Sequence, residues 1–193
     1  MSAFSDHLHK VAGALTEMPP DSSRVVFSTP WFAIEAEPNG DDTPYYRMVS
    51  PDGVVVIPLT EDGHLVVIRQ WRPARNAWTM EFPAGMVEAG ETPEQAAERE
   101  LIEETGLRCR QLHRLMRGGL RLERESSCET FFLAEGAHPC PDYTVSENIS
   151  MEILSPQAFR QLVLDGGFDH LVGLAALLVA DWRLGLRLNE ARP

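Results

Sequence analysis

Residues 85–107 read GMVEAGETPEQAAERELIEETGL. Thr92, Pro93 and Gln95 form a helix start: an N-cap hydroxyl, proline at the first helical position and a capping-box amide three residues on. Helix formers run from there to Gly106, which can take the left-handed conformation that closes a helix of about three turns. Within it Glu100, Glu103 and Glu104 stand at i, i+3 and i+4 and share one face, while Ala97 and Leu101 mark the apolar stripe.

Like charges at that spacing cost a few tenths of a kcal/mol per pair in water, and more where water is restricted. Arg99 can neutralise only part of the cluster. A bound cation resolves the conflict, and an all-carboxylate set suits Mg²⁺ or Mn²⁺ rather than zinc. Taken as three glutamates alone, the segment also fits a solvated acidic helix face.

The flanking run Glu81-Phe82-Pro83-Ala84-Gly85 ends a strand-like stretch in a turn, with Gly85 and Gly90 letting the backbone bend between strand and helix. Seven fixed residues (Gly85, Glu91, Arg99, Glu100, Glu103, Glu104, Gly106) and two aliphatic positions match one pattern. Chance would produce that match on the order of once in ten million chains at ordinary residue frequencies. The segment resembles the Nudix box, and the chain resembles the Nudix hydrolases.

That resemblance implies an α/β/α sandwich with a mixed sheet and Mg²⁺-dependent cleavage of a nucleoside diphosphate joined to a second group, with Mn²⁺ as the other candidate ion. It implies metal ligation by Glu100, Glu103 and Glu104 and by the carbonyl of Ala84, with Glu103 also in the catalytic set. Gly85, Glu91, Arg99 and Gly106 would be structural, Glu91 and Arg99 bracing the loop against the helix by a charge-assisted hydrogen bond.

Beyond the box, Gln70-Trp71-Arg72-Pro73 and Glu81-Phe82-Pro83-Ala84-Gly85 resemble segments of the ADP-ribose and ADP-sugar pyrophosphatases. Arg72 then reads as a phosphate contact or as a surface ion pair. In that group an N-terminal sheet takes part in a homodimer and lends aromatics to the base, so Trp31 reads as a stacking residue or as sheet and dimer core. Many relatives carry Pro-Gly where this chain has Arg124-Glu125-Ser126-Ser127-Cys128, although Glu129 keeps an acidic, substrate-side position. The group's general base is a carboxylate outside the box, for which Glu147 is the candidate: it shares alternation with Ile149, Met151 and Ile153, whereas Glu152 faces the other way. A solvated loop carboxylate is the other reading. Two rival functions are a GDP-mannose or other NDP-sugar pyrophosphatase and a non-catalytic nucleotide sensor.

The rest of the chain sets bounds. At 193 residues it can bury a substantial single core with a small accessory element. A net charge of −12, with Lys10 the only lysine among 17 basic residues, offers no run to track a nucleic acid backbone. Cys109, Cys128 and Cys140 lack metal-site spacing and read as reduced thiols, and no apolar stretch is long enough to span a bilayer. A cytoplasmic protein that binds neither nucleic acid nor membrane is expected.

Phe4, Leu8, Val11 and Leu15 have helical spacing, and strand-like runs at 25–27, 31–37 and 45–49 suggest a small antiparallel sheet. Residues 1–50 are therefore read as an N-terminal element for dimerisation and 51–193 as the hydrolase domain. Val54–Leu59 and His64–Gln70 flank an Asp-Gly turn and read as a hairpin. Runs at 112–116, 129–134 and 149–154 complete a mixed sheet, and helices at 156–165 and from Leu171 cover its faces.

Overall fold

The computed structural model describes residues 23–40, 43–141, 143 and 148–186. The helical spacing at Phe4 to Leu15 and the candidate base Glu147 lie outside the described residues. The chain divides into two units: residues 1–51 with 119–127, and residues 52–118 with 128–193.

In the first unit β1 (Arg24–Ser28), β2 (Ala33–Glu37) and β3 (Tyr45–Val49) form an antiparallel sheet in the order β1-β2-β3. Trp31 is not in a strand. It sits in the tight connection between β1 and β2, where Thr29 Oγ1 accepts from the Trp31 N–H at 3.2 Å and the Phe32 N–H at 3.0 Å. Threonine hydroxyls commonly cap turns this way, so the second strand begins at Ala33, later than the apolar run at 31–37 suggests. The segment 119–127 adds to this sheet, with Met48 donating to the Arg124 carbonyl at 2.7 Å and Ser126 donating back to Met48 at 3.0 Å.

The second unit is built on β4 (Gly53–Thr60), whose residues are almost all buried. A strand apolar at consecutive positions has both faces covered. Val54 and Val56 turn to one side with Val66, Phe132 and Ala134, where they meet Ala96, Ala97 and Leu101 of α1 (Pro93–Thr105). Val55, Ile57 and Leu59 turn to the other with Val67, Phe131 and Leu133, against Phe159 of α2 (Pro156–Leu164) and Ala176 and Ala180 of α3 (Leu171–Leu184). Phe82, Phe159 and Phe168 pack there with ring centroids 5.0 to 5.6 Å apart. The result is a sheet between helical layers.

The sheet is mixed. β10 (Glu129–Pro139) runs parallel to β4 and antiparallel to β9 (Gln111–Gly118) and to the short β8 (Leu107–Arg108). On the far side β11 (Ile149–Leu154) pairs antiparallel with β5 (Leu65–Arg72).

The expected hairpin of β4 and β5 holds only at its closed end. Leu59 pairs with Leu65, after which the strands part. β6 (Ala77–Glu81) takes the edge of β5 and β7 (Ala84–Met86) takes the edge of β4. Phe82-Pro83 crosses between them: Phe82 is fully buried, and the Pro83 carbonyl accepts from the Val56 N–H at 2.9 Å. Proline suits that crossing, since it offers a carbonyl to β4 while having no N–H to leave unpaired. The fork delivers β7 to the start of α1.

Candidate active site

The helix α1 begins and ends as its residues dictate. Thr92 Oγ1 accepts from the Gln95 N–H at 3.2 Å while Gln95 Oε1 accepts from the Thr92 N–H at 2.8 Å, and Gly106 closes the helix at φ 67°. Between β7 and the helix, Gly90 turns the chain at φ 86°. Gly85 has no such conformation, and its need for glycine is steric. A Cβ there would overlap the Glu100 carboxylate, lying 2.6 Å from Oε2 and nearer still to Cδ and Oε1.

Arg99 ties the platform together. Its Nε donates to Glu91 Oε1 at 3.0 Å, Nη2 to Glu91 Oε2 at 3.1 Å and to the Met86 carbonyl at 2.8 Å, and Nη1 to Glu100 Oε1 at 2.6 Å and Glu103 Oε2 at 3.1 Å. Those bonds use all five guanidinium donors. Glu91 also accepts the Glu88 N–H at 3.0 Å, so one carboxylate closes the loop on itself and on the helix. Arg99 and then the Glu88 amide hold Glu91 below the usual carboxylate range.

The two buried box glutamates behave in the opposite sense. Burial pushes the Glu104 carboxyl up to about 7, with the like charges of Glu100 and Glu81 adding to it against the Ala84 N–H bond and Arg72. Glu104 Oε2 accepts that N–H at 2.9 Å, joining α1 to β7. Glu100 is also raised by burial, although Arg99 opposes it. Glu103 is the exposed member of the set.

The donor set is thus all oxygen, and burial opposes ionisation of two of its carboxyls. These residues fit a hard divalent ion. As the side chains stand, no three acidic, His or Cys groups among the described residues are gathered closely enough to hold one. Glu100 and Glu103 instead converge on the same nitrogen, Nη1 of Arg99.

A second ion pair lies beside this platform: an ion pair was one of the two sequence readings of Arg72, but its partner, Glu81, was not read from the sequence. Arg72 grips Glu81 through Nε at 2.8 Å and Nη2 at 2.6 Å, and Thr79 Oγ1 adds a bond at 2.6 Å. Burial works to raise Glu81, but the bonds from Arg72 and Thr79 outweigh it and hold the group below its ordinary value. The available signal was period-2 alternation, since Thr79 and Glu81 share a face of β6 and Glu81 pairs with Ile68 of the buried sheet. Glu104 lies close enough for its charge to act on Arg72.

Glu129 is placed differently. It opens β10 opposite Gly53, where a Cβ on the glycine would lie 2.5 Å from Glu129 Oε1. Alternation puts it on the face of Phe131 and Leu133, away from α1. Trp31 belongs to the first unit and is 63% exposed.

A mixed sheet between helical layers, with a carboxylate helix locked onto a glycine loop, defines an α/β/α protein with an acidic centre on that helix. The chain belongs to the Nudix family: the NUDIX domain model matches residues 49–149. It is 36% identical over 78 residues to the ADP-ribose pyrophosphatase of Bacillus subtilis (strain 168), a stretch covering 40% of this chain and 42% of that protein. It is 29% identical over 151 residues to the ADP compounds hydrolase NudE of Escherichia coli (strain K12), covering 76% and 81%. A crystal structure titled as an ADP compounds hydrolase superposes with a TM-score of 0.72 at 23% identity, over 86% of this chain and 94% of that one, which shows the shared fold. No helix among the described residues is long and apolar enough to cross a membrane.

Proposed function

We propose that the protein hydrolyses the pyrophosphate bond of a nucleoside diphosphate sugar with Mg²⁺, or Mn²⁺ in its place, and that its substrate is ADP-ribose, giving AMP and ribose 5-phosphate. The observation that carries this reading is the buried carboxyl pair of Glu100 and Glu104 beside Gly85, both raised by burial. The similarity to an ADP-ribose pyrophosphatase and to an ADP compounds hydrolase favours an ADP compound.

Such a reaction needs a water aimed at phosphorus, neutralised phosphate oxygens and a stabilised leaving phosphate. A divalent ion, when bound, supplies a water of lowered pKa and positive charge at the phosphates. Glu100, Glu103, Glu104 and the Ala84 carbonyl would hold it. Arg72 contributes a fixed guanidinium for a phosphate oxygen, and Trp31 is the proposed base-stacking residue on the resemblance to the ADP-sugar pyrophosphatases alone. Glu147 is the proposed base that takes the proton of the attacking water. A loss in Glu147→Gln of less than about tenfold in rate, below the usual contribution of acid–base catalysis, removes that role.

Purified protein incubated with ADP-ribose and with GDP-mannose, each with Mg²⁺ and with chelator, should release AMP from the first and nothing with chelator. GMP alone would move the protein to the other NDP-sugars. Binding of nucleotide without product in either arm would make it a sensor.

A further inference from the structure

The ion pair between Arg72 and Glu81 is unlike an exposed surface pair. Glu81 is 8% exposed, and among the described residues its side chain accepts three hydrogen bonds, two from Arg72 and one from Thr79. Burying a carboxylate is costly unless its lone pairs are filled, and apolar groups of similar volume are often as stable in such a place, so stability alone does not account for the pair. The geometry supplies another reason.

Glu81 engages Arg72 along a single edge of the guanidinium, the one carrying Nε and Nη2. The remaining end, Nη1 and the second hydrogen of Nη2, makes no hydrogen bond among the described residues, and the Arg72 side chain is 41% exposed. A planar fork held along one edge presents the other in a fixed direction. Thr79, two residues before Glu81 on the same face of β6, fixes the carboxylate that fixes the arginine.

We propose that Glu81, steadied by Thr79, is a positioning residue that aims the outer end of the Arg72 guanidinium at a phosphate oxygen of the substrate. This rests on the pyrophosphatase reading above and extends it to residues outside the box. Glu81 lies on the same α1-facing side of the sheet as Ile68, its strand partner, and its charge is felt at Glu104. The aimed arginine therefore borders the carboxylate platform.

The test compares kcat and KM for ADP-ribose with Mg²⁺, together with melting temperature, in the wild type, Glu81→Gln, Thr79→Val, Arg72→Ala and the Arg72→Ala/Glu81→Gln double variant. Glu81→Gln should raise KM on the order of tenfold with kcat within about threefold, the pattern of lost binding that substrate and transition state share. Thr79→Val, which keeps both charges, should move KM the same way by less. The double variant should be no worse than Arg72→Ala, because coupled residues do not add.

A Glu81→Gln enzyme with lower melting temperature but unchanged KM would overturn the proposal and leave Glu81 structural. So would a lowered KM, which would mean that Glu81 competes with substrate for Arg72. Normal KM in Arg72→Ala would remove the arginine as ligand while leaving the pyrophosphatase reading intact. If Glu81→Gln does not fold, Thr79→Val decides, an unchanged KM there counting against the proposal. No turnover by the wild type would overturn both readings together.

Discussion

Glu104→Gln should lose turnover by about a thousandfold or more while folding normally. A ligand carboxylate that supports charge neutralisation worth several kcal/mol accounts for that factor at roughly 1.4 kcal/mol per tenfold. The fold should survive because the glutamine carbonyl can still accept the Ala84 N–H that Glu104 Oε2 now accepts at 2.9 Å. Near-normal kcat would remove Glu104 from the metal site.

The same variant has a pH signature in chelated protein. Folded Glu104 keeps its proton up to about pH 7, well above the usual carboxylate range, so between that range and pH 7 the native state binds more protons than the unfolded one. Stability from this group is therefore present at low pH and is lost as pH rises toward 7, by up to about 3 kcal/mol. Glu100, also raised, works in the same direction. His170, lowered by burial, works in the opposite one. The difference between wild type and Glu104→Gln isolates the first term: denaturant melts with chelator at pH 5 and pH 7.5 should show the variant gaining relative stability at the higher pH. Adding Mg²⁺ at pH 7.5 should raise the wild type's melting point and leave the variant's nearly unchanged. A pH-independent difference between the two would refute the buried, proton-holding Glu104.

Gly85→Ala should be the second most damaging change. The new methyl overlaps the Glu100 carboxylate, and Glu100 can yield only by swinging away from Gly85 and from its 2.6 Å bond to Arg99. The backbone of β7 need not move, because Gly85 does not use a left-handed conformation. Stability should fall by roughly 1 kcal/mol, as for a typical substitution. Activity should fall about a hundredfold, the cost of a ligand misplaced by about an ångström. Full activity in Gly85→Ala would mean that Glu100 need not stand over the loop.

What the sequence made legible was whatever is decided within a few residues. Thr92, Gln95 and Gly106 fix the ends of α1 by caps that need no partner elsewhere, and the observed helix, Pro93–Thr105, lies between them. The α/β sandwich followed from apolar runs such as Val54–Leu59. The splaying of β4 from β5 did not, because an Asp-Gly turn governs only the closed end, while the parting depends on β6 and β7 competing for the strand edges. Gly85 was read as a bend, and its steric reason lies fifteen residues away at Glu100. Arg72 was legible as charged and useful, but its partner Glu81 was not, since a diagonal across two paired strands leaves no mark in linear spacing.

The parallel pairing of β4 with β10 also governs how the chain can fold. Cys128 donates to Asp52 across a separation of 76 residues, and the full ladder runs from Gly53–Glu129 to Thr60–Ala137. Closing so long a loop must precede the contacts that reward it, which slows folding relative to local topologies. During synthesis the capped helix α1 can form as soon as it emerges, yet β4 must wait with an unpaired, apolar edge until about residue 137 is free. A chain stopped at residue 128 would keep every box residue and still expose that edge, making it a substrate for chaperones rather than a smaller enzyme.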